Sequence, residues 1–103
     1  FNRLNEIIQE NISNTEFSVD QLTRSVNMSR TLLYAKVKAV TGLTPNEFIR
    51  LVRLRKAAEY LAGNEYKINE ICYMVGFNSP SYFAKCFQNQ FGVLPKDFIN
   101  NTN

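Results

Sequence analysis

The chain repeats itself at an offset of 50 residues. Ser29 to Gly42 and Ser79 to Gly92 are both 14 residues long, and each runs on through a proline, Pro45 or Pro95, to an identical pair, Phe48-Ile49 or Phe98-Ile99. Upstream, Val19 to Met28 pairs with Ile68 to Phe77, and the second copy carries one extra residue, Asn78. Two copies are too few for a solenoid, so the repeat predicts two related lobes.

Each copy reads as helix, tight turn, helix. In the first, Ser18 and Gln21 have capping-box spacing, and Phe17 and Leu22 stand where a hydrophobic staple closes. Asn27 and its counterpart Gly76 are residue types that tolerate a left-handed backbone, as a sharp interhelix turn requires. Four positions earlier both copies place a small side chain, Thr23 and Cys72, where two steeply crossing helices would touch. This combination is the signature of a helix-turn-helix. The next helices start at Ser29 and Ser79, the second with Pro80 at its first position. Leu33, Val37 and Val40 are expected to face inward in one, and Phe83, Phe87 and Phe91 in the other. Gly42 and Gly92 read as stops.

Between the copies lies a longer helix, capped by Thr44, opened by Pro45 and boxed by Glu47, with Gly63 expected to end it. It is apolar on more than one side, as a helix touching two lobes would be. An opening helix from Phe1 to Ile12, with Leu4, Ile7, Ile8 and Ile12 inward, and a closing helix from Pro95 to about Asn100 complete the lobes. No segment alternates as a strand does. The expected fold is all-α, with about seven helices. Residues 1–43 form a first helix-turn-helix subdomain, 44–63 a linker helix and 64–103 a second subdomain. The chain begins at Phe1 rather than Met and reads as part of a longer protein.

Composition narrows the function. The chain has no histidine and two cysteines, Cys72 and Cys86. No Ser-His or Cys-His pair and no His-containing zinc site can be assembled, so no catalytic residue, metal site or cofactor is expected. Two cysteines are too few for a disulfide scaffold and suit a reducing cytosol; both read as packing. No apolar run suggests a membrane span. The net charge of +3 is unevenly spread: residues 1–23 carry −3, residues 24–56 carry +7 and residues 57–103 carry −1. A polyanion is the natural partner of that middle third.

The second helix of such a unit can enter the major groove of DNA. Opposite the inward residues, the first copy offers Arg30, Thr31, Tyr34, Ala35 and Lys38, and the second offers Ser81, Ala84, Lys85 and Gln88, as candidate base readers. Arg and Lys pair with guanine, Gln with adenine, and Ala offers a methyl to thymine. Ser29, Arg50, Arg53, Ser79 and Tyr82 are candidate phosphate contacts, which position without reading sequence. Against this stands a plainer reading, a helical protein-interaction module that keeps the fold without using it on DNA.

The stretch Ile71-Cys-Tyr-Met-Val-Gly-Phe-Asn-Ser-Pro-Ser-Tyr-Phe-Ala-Lys-Cys-Phe87, with Phe91-Gly-Val-Leu-Pro-Lys-Asp-Phe98, Arg53-Leu-Arg-Lys-Ala57, Met28-Ser-Arg30 and Thr41-Gly-Leu-Thr-Pro45, resembles the DNA-binding domain of AraC/XylS-family transcription regulators. The resemblance covers nearly the whole chain. It implies two recognition helices in successive major-groove segments, with readers at Thr31, Tyr34 and Ala35 and at Ser81, Ala84 and Lys85. It also implies transcription activation, often with RNA polymerase as a partner, and a full-length homodimer formed through a domain outside this sequence. More narrowly, the chain resembles output domains of hybrid two-component regulators that control polysaccharide-utilisation genes. Such a protein would be cytoplasmic, or membrane-anchored if it is a hybrid sensor. The chain departs from the family at several positions. Ala35 stands where many members carry Arg, Gln88 and Asn89 replace a basic pair, and Ile99 replaces an Arg. Leu94 and Lys67 stand where caps are usual, each cap being worth about 0.5–2 kcal/mol. The first unit and the linker are therefore expected to supply most of the affinity.

Overall fold

The computed structural model describes residues 2–102, with side chains described for residues 2–99. All regular structure among them is helical: α1 (Asn2–Glu10), α2 (Val19–Val26), α3 (Arg30–Thr41), α4 (Pro45–Gly63), α5 (Ile68–Met74), α6 (Pro80–Phe91) and α7 (Pro95–Thr102). Phe1 and Asn103, assigned above to the outer ends of the two lobes, lie outside the described residues. The closing helix runs two residues beyond Asn100, the end expected for it.

Two apolar clusters form the interior. The first gathers Leu4, Ile7 and Ile8 of α1, Phe17, Val19 and Leu22 at the start of α2, Leu33 and Val37 of α3, and Phe48, Ile49 and Val52 of α4. The second gathers Leu54, Ala57 and Leu61 of α4 with Ile71, Cys72, Val75, Phe77, Phe83, Cys86 and Phe87. The single long helix α4 thus lends its first half to one lobe and its second half to the other, and Ile12 packs against both clusters. The staple is present, Phe17 and Leu22 being buried in one cluster. In the second lobe Phe83, Phe87, Phe91 and Phe98 stack in sequence, with ring centroids 4.6–6.1 Å apart.

The helix ends follow from local chemistry. Thr44 and Glu47 close a reciprocal box, Thr44 N donating to Glu47 Oε1 at 2.8 Å and Glu47 N to Thr44 Oγ1 at 3.2 Å. Those backbone and side-chain bonds from Thr44 hold the Glu47 carboxyl below the usual range. Ser18 N donates to Gln21 Oε1 at 2.7 Å. Asn27 and Gly76 both take positive φ, 55° and 93°, and they place the turn that lets α2 meet α3 and α5 meet α6. Thr23 and Cys72 are buried at those crossings.

One expectation needs correction. Val40 is not inward; it is 66% exposed. The inward row of α3 is Leu33, Val37 and Thr41, spaced i, i+4, i+8, as in Phe83, Phe87 and Phe91. Thr41 is the true counterpart of Phe91 and spends its hydroxyl on Val37 O at 2.7 Å. The linker helix ends at Gly63 as expected. Gly63 is its last helical residue, and the left-handed cap is Asn64 at φ 56°.

Candidate nucleic-acid interface

α3 and α6 present equivalent faces. On α3, Arg30, Thr31, Tyr34, Ala35 and Lys38 are exposed, Tyr34 to 49%. On α6, Ser81, Lys85 and Gln88 are exposed and Ala84 is half-buried. Ser29 and Ser79 cap these helices, their Oγ atoms accepting from Leu32 N at 3.1 Å and Tyr82 N at 3.2 Å. Each hydroxyl keeps its proton for donation to an external oxygen.

The face of α3 continues into a hollow of about 440 Å³ lined by Arg30, Thr31, Tyr34, Ala35, Thr44, Pro45 and Asn46. Asn46 is thus a surface neighbour of the candidate readers on α3 that the sequence did not single out; its place in the first turn of α4, two residues after the Thr44 cap, was the available signal. Arg30 is not wholly free, because its Nη1 donates to Asp20 Oδ1 on α2. Both side chains are 63% exposed, and an exposed pair of this kind is worth about 0–1 kcal/mol. A polyanion can displace it.

Between the lobes runs a second groove, lined by Thr15, Asn46, Arg50, Asn78 and Tyr82 among others. Arg50 Nη1 donates to Tyr82 Oη at 3.3 Å, joining α4 to α6 on this surface. Beyond Tyr82 the surface continues along Lys85, Asn89 and Gln90. Arg50, Tyr82 and Lys85 are therefore neighbours, and Lys38, Arg50 and Lys85 take part in no ion pair among the described residues. Arg55 and Lys56 lie elsewhere, in a hollow against α1 with Asn2, Asn5 and Gln9. Lys56 also pairs with Glu59 at 3.3 Å.

Arg53 overturns its assignment as a phosphate contact. It is 6% exposed. Its Nη1 donates to Ile12 O at 2.6 Å and Val75 O at 2.8 Å, and its Nη2 to Asn14 O at 3.1 Å and Phe17 O at 3.5 Å. The donors that would have met a phosphate are spent on backbone carbonyls. Burial lowers its pKa, yet a guanidinium stays charged at neutral pH.

Cys86 borders the surface beyond Tyr82, and Cys72 lies in the core of the second lobe. Both are buried, and burial pushes the Cys72 thiol up, which keeps it protonated and unreactive. Among the described residues no group of three or more His, Cys, Asp or Glu side chains is arranged to hold a metal ion. No helix there is long and apolar enough to cross a membrane.

Comparison with known proteins agrees with this geometry. A helix-turn-helix domain family model matches residues 22–101. Histidine kinase P4 of Formosa agariphila is 44% identical over 95 residues, which is 92% of this chain and 7% of that protein. The HTH-type transcriptional regulator MtrA of Neisseria gonorrhoeae is 34% identical over 98 residues, 93% of this chain and 33% of that protein. The chain thus spans a third or less of the length of these relatives. Among solved structures, the C-terminal domain of AraT, a response regulator from Geobacillus stearothermophilus, superposes with a TM-score of 0.87 at 27% identity, covering 97% of this chain and 83% of that one.

Proposed function

The chain belongs to the AraC/XylS-type helix-turn-helix family, and from that premise we propose that it binds double-stranded DNA in a sequence-specific manner as the DNA-binding domain of a transcription regulator. One observation carries the reading. α3 and α6, equivalent by the internal repeat, each begin at a capping serine and each expose a polar face with a cation, Lys38 or Lys85. They sit at the two halves of a body 42 Å long and 23 Å wide. Successive major-groove segments on one face of DNA are about 34 Å apart, a separation that this length accommodates.

In this reading Arg30, Thr31, Tyr34, Ala35 and Lys38 face one major-groove segment, and Ser81, Ala84, Lys85 and Gln88 face the next. Arg50 and Tyr82 meet the phosphates that cross between them, with Ser29 and Ser79 donating to the flanking backbone. Residues 1–43 and 64–103 are the two reading subdomains and residues 44–63 their linker. The intact regulator is proposed to activate transcription through contact with RNA polymerase, as a dimer held by regions outside this sequence. The likeness to a histidine kinase and to a response-regulator domain supports a two-component output role. Control of carbohydrate-utilisation genes is the narrower form of that proposal, and it rests on the sequence resemblance.

Titration of labelled duplex DNA over a salt series tests DNA binding itself. With about four to six phosphates engaged, affinity should fall about a hundredfold to a thousandfold between 50 and 200 mM salt. Binding that is absent, or indifferent to salt, would instead favour the protein-interaction module.

A further inference from the structure

Arg53 lies at the floor of the groove between the lobes, buried and with its Nη donors turned to backbone carbonyls, and its surroundings assign it another task. Three of its four acceptors, Ile12 O, Asn14 O and Phe17 O, belong to the segment joining α1 to α2 in the first lobe. The fourth, Val75 O, belongs to the turn joining α5 to α6 in the second. Each Nη atom carries two hydrogens, so all four are used. Phe17 immediately precedes the Ser18 cap of α2, and Val75 immediately precedes the turn glycine, Gly76. The guanidinium thus ties together the two segments from which the helix-turn-helix units are hung.

Gly76 is shaped around this contact. A Cβ there would stand 1.3 Å from Arg53 Nη1 and 2.4 Å from Ile12 O. Its φ of 93° also suits glycine. No carboxylate pairs with Arg53 among the described residues, so a buried charge is held by carbonyl dipoles alone. A lysine offers one compact ammonium in place of a planar fork and cannot meet four carbonyls in this arrangement. An apolar residue would pack at lower desolvation cost. What an apolar residue would not supply is a directional bond to each lobe.

We propose that Arg53 is a positioning residue that locks the two reading lobes at one mutual setting and thereby sets the half-site spacing the domain accepts. α4 fixes how far apart the lobes stand along its axis; the carbonyl cage of Arg53 fixes how they are turned about it. The spacing claim rests on the DNA-binding reading, whereas the locking claim does not. When two binding units are rigidly joined, the second engages at a high effective concentration only if the geometry matches. Freeing the lobes lowers that concentration at the matched spacing and evens out the mismatched ones.

Spin labels on the 103-residue chain at Ser25→Cys in α2 and Asn69→Cys in α5 report the lobe-to-lobe distance without DNA; the two native cysteines are buried. A single narrow distribution is expected for the parent, and a broadened one for Arg53→Met, which keeps a long stem without the donors. On DNA, inserting one or two base pairs between half-sites should weaken the parent by about tenfold or more. Arg53→Met should lose most of that discrimination while binding an isolated half-site within about twofold of the parent. Should Arg53→Met not fold, Arg53→Lys carries the same comparison. A broad distribution in the parent, or a folded variant with unchanged distribution and spacing preference, overturns the proposal. If the parent binds no duplex at all, the DNA-binding reading fails, and the distance comparison still decides whether Arg53 locks the lobes.

Discussion

Residue 53 shows how a correct periodicity can be overruled by a charge. Ile49, Arg53, Ala57 and Leu61 recur every four residues along α4, and all four are buried. That stripe was legible in the sequence. An arginine in a basic segment was nonetheless assigned to phosphates, because a buried guanidinium needs acceptors and those come from residues 12–17 and 75, remote in the chain. Gly76 was legible as a turn residue and not as the space Arg53 fills. Gly76→Ala should therefore cost more than a turn glycine alone. Strain at its φ accounts for about 1–3 kcal/mol, and expulsion of the guanidinium adds to that. Denaturant unfolding beside a Gly92→Ala control, at φ 81° with nothing within 4 Å of an added Cβ, checks this: losses of equal size would mean that only backbone strain matters.

At the scale of the elements, caps and turns were the most legible features, because they depend on neighbours within four residues. Ser29, Thr44 and Ser79 cap α3, α4 and α6 as their spacing implies. Lys67, which lacks a capping oxygen, keeps half of a box because its N–H donates to Glu70 Oε1 at 3.0 Å. The inward face of α3 was less legible, since the apolar Val40 stands beside the inward row while the polar Thr41 completes it. Thr44→Ala should lower stability by about 1 kcal/mol in a urea titration; no change would mean that α4 is held by its packing alone. The depressed Glu47 pKa adds a pH signature. The carboxylate is favoured in the folded state, so its contribution is complete above the ordinary glutamate value and fades as pH falls through the lower folded value. Glu47→Gln should be less stable than the parent at neutral pH, and the difference should shrink on acidification below pH ~4. A gap that holds constant with pH would mean that the carboxylate's charge adds nothing to the box.

For the whole molecule, the repeat alone made the two-lobed, all-helical plan legible. Which linker cations face the reading side was not, because helix rotation relative to two lobes depends on both cores at once. Arg50 faces the groove with Tyr82, Arg53 is internal, and Arg55 and Lys56 turn towards α1. In the proposed DNA-binding reading, linker charge therefore reaches DNA chiefly through Arg50. Arg50→Glu should weaken duplex binding by about tenfold or more, while Arg55→Glu changes it much less, as fluorescence anisotropy would read. Similar losses for both would mean that the charge acts as a diffuse field without an oriented face.

If α3 and α6 read DNA together from one side, selection of the domain against a random duplex library at moderate salt should return two short motifs in the same orientation, about 10 base pairs apart centre to centre, with substitutions at Tyr34 altering one and at Lys85 altering the other. Enrichment of a single motif insensitive to Lys85, or no enrichment at all, would contradict that reading.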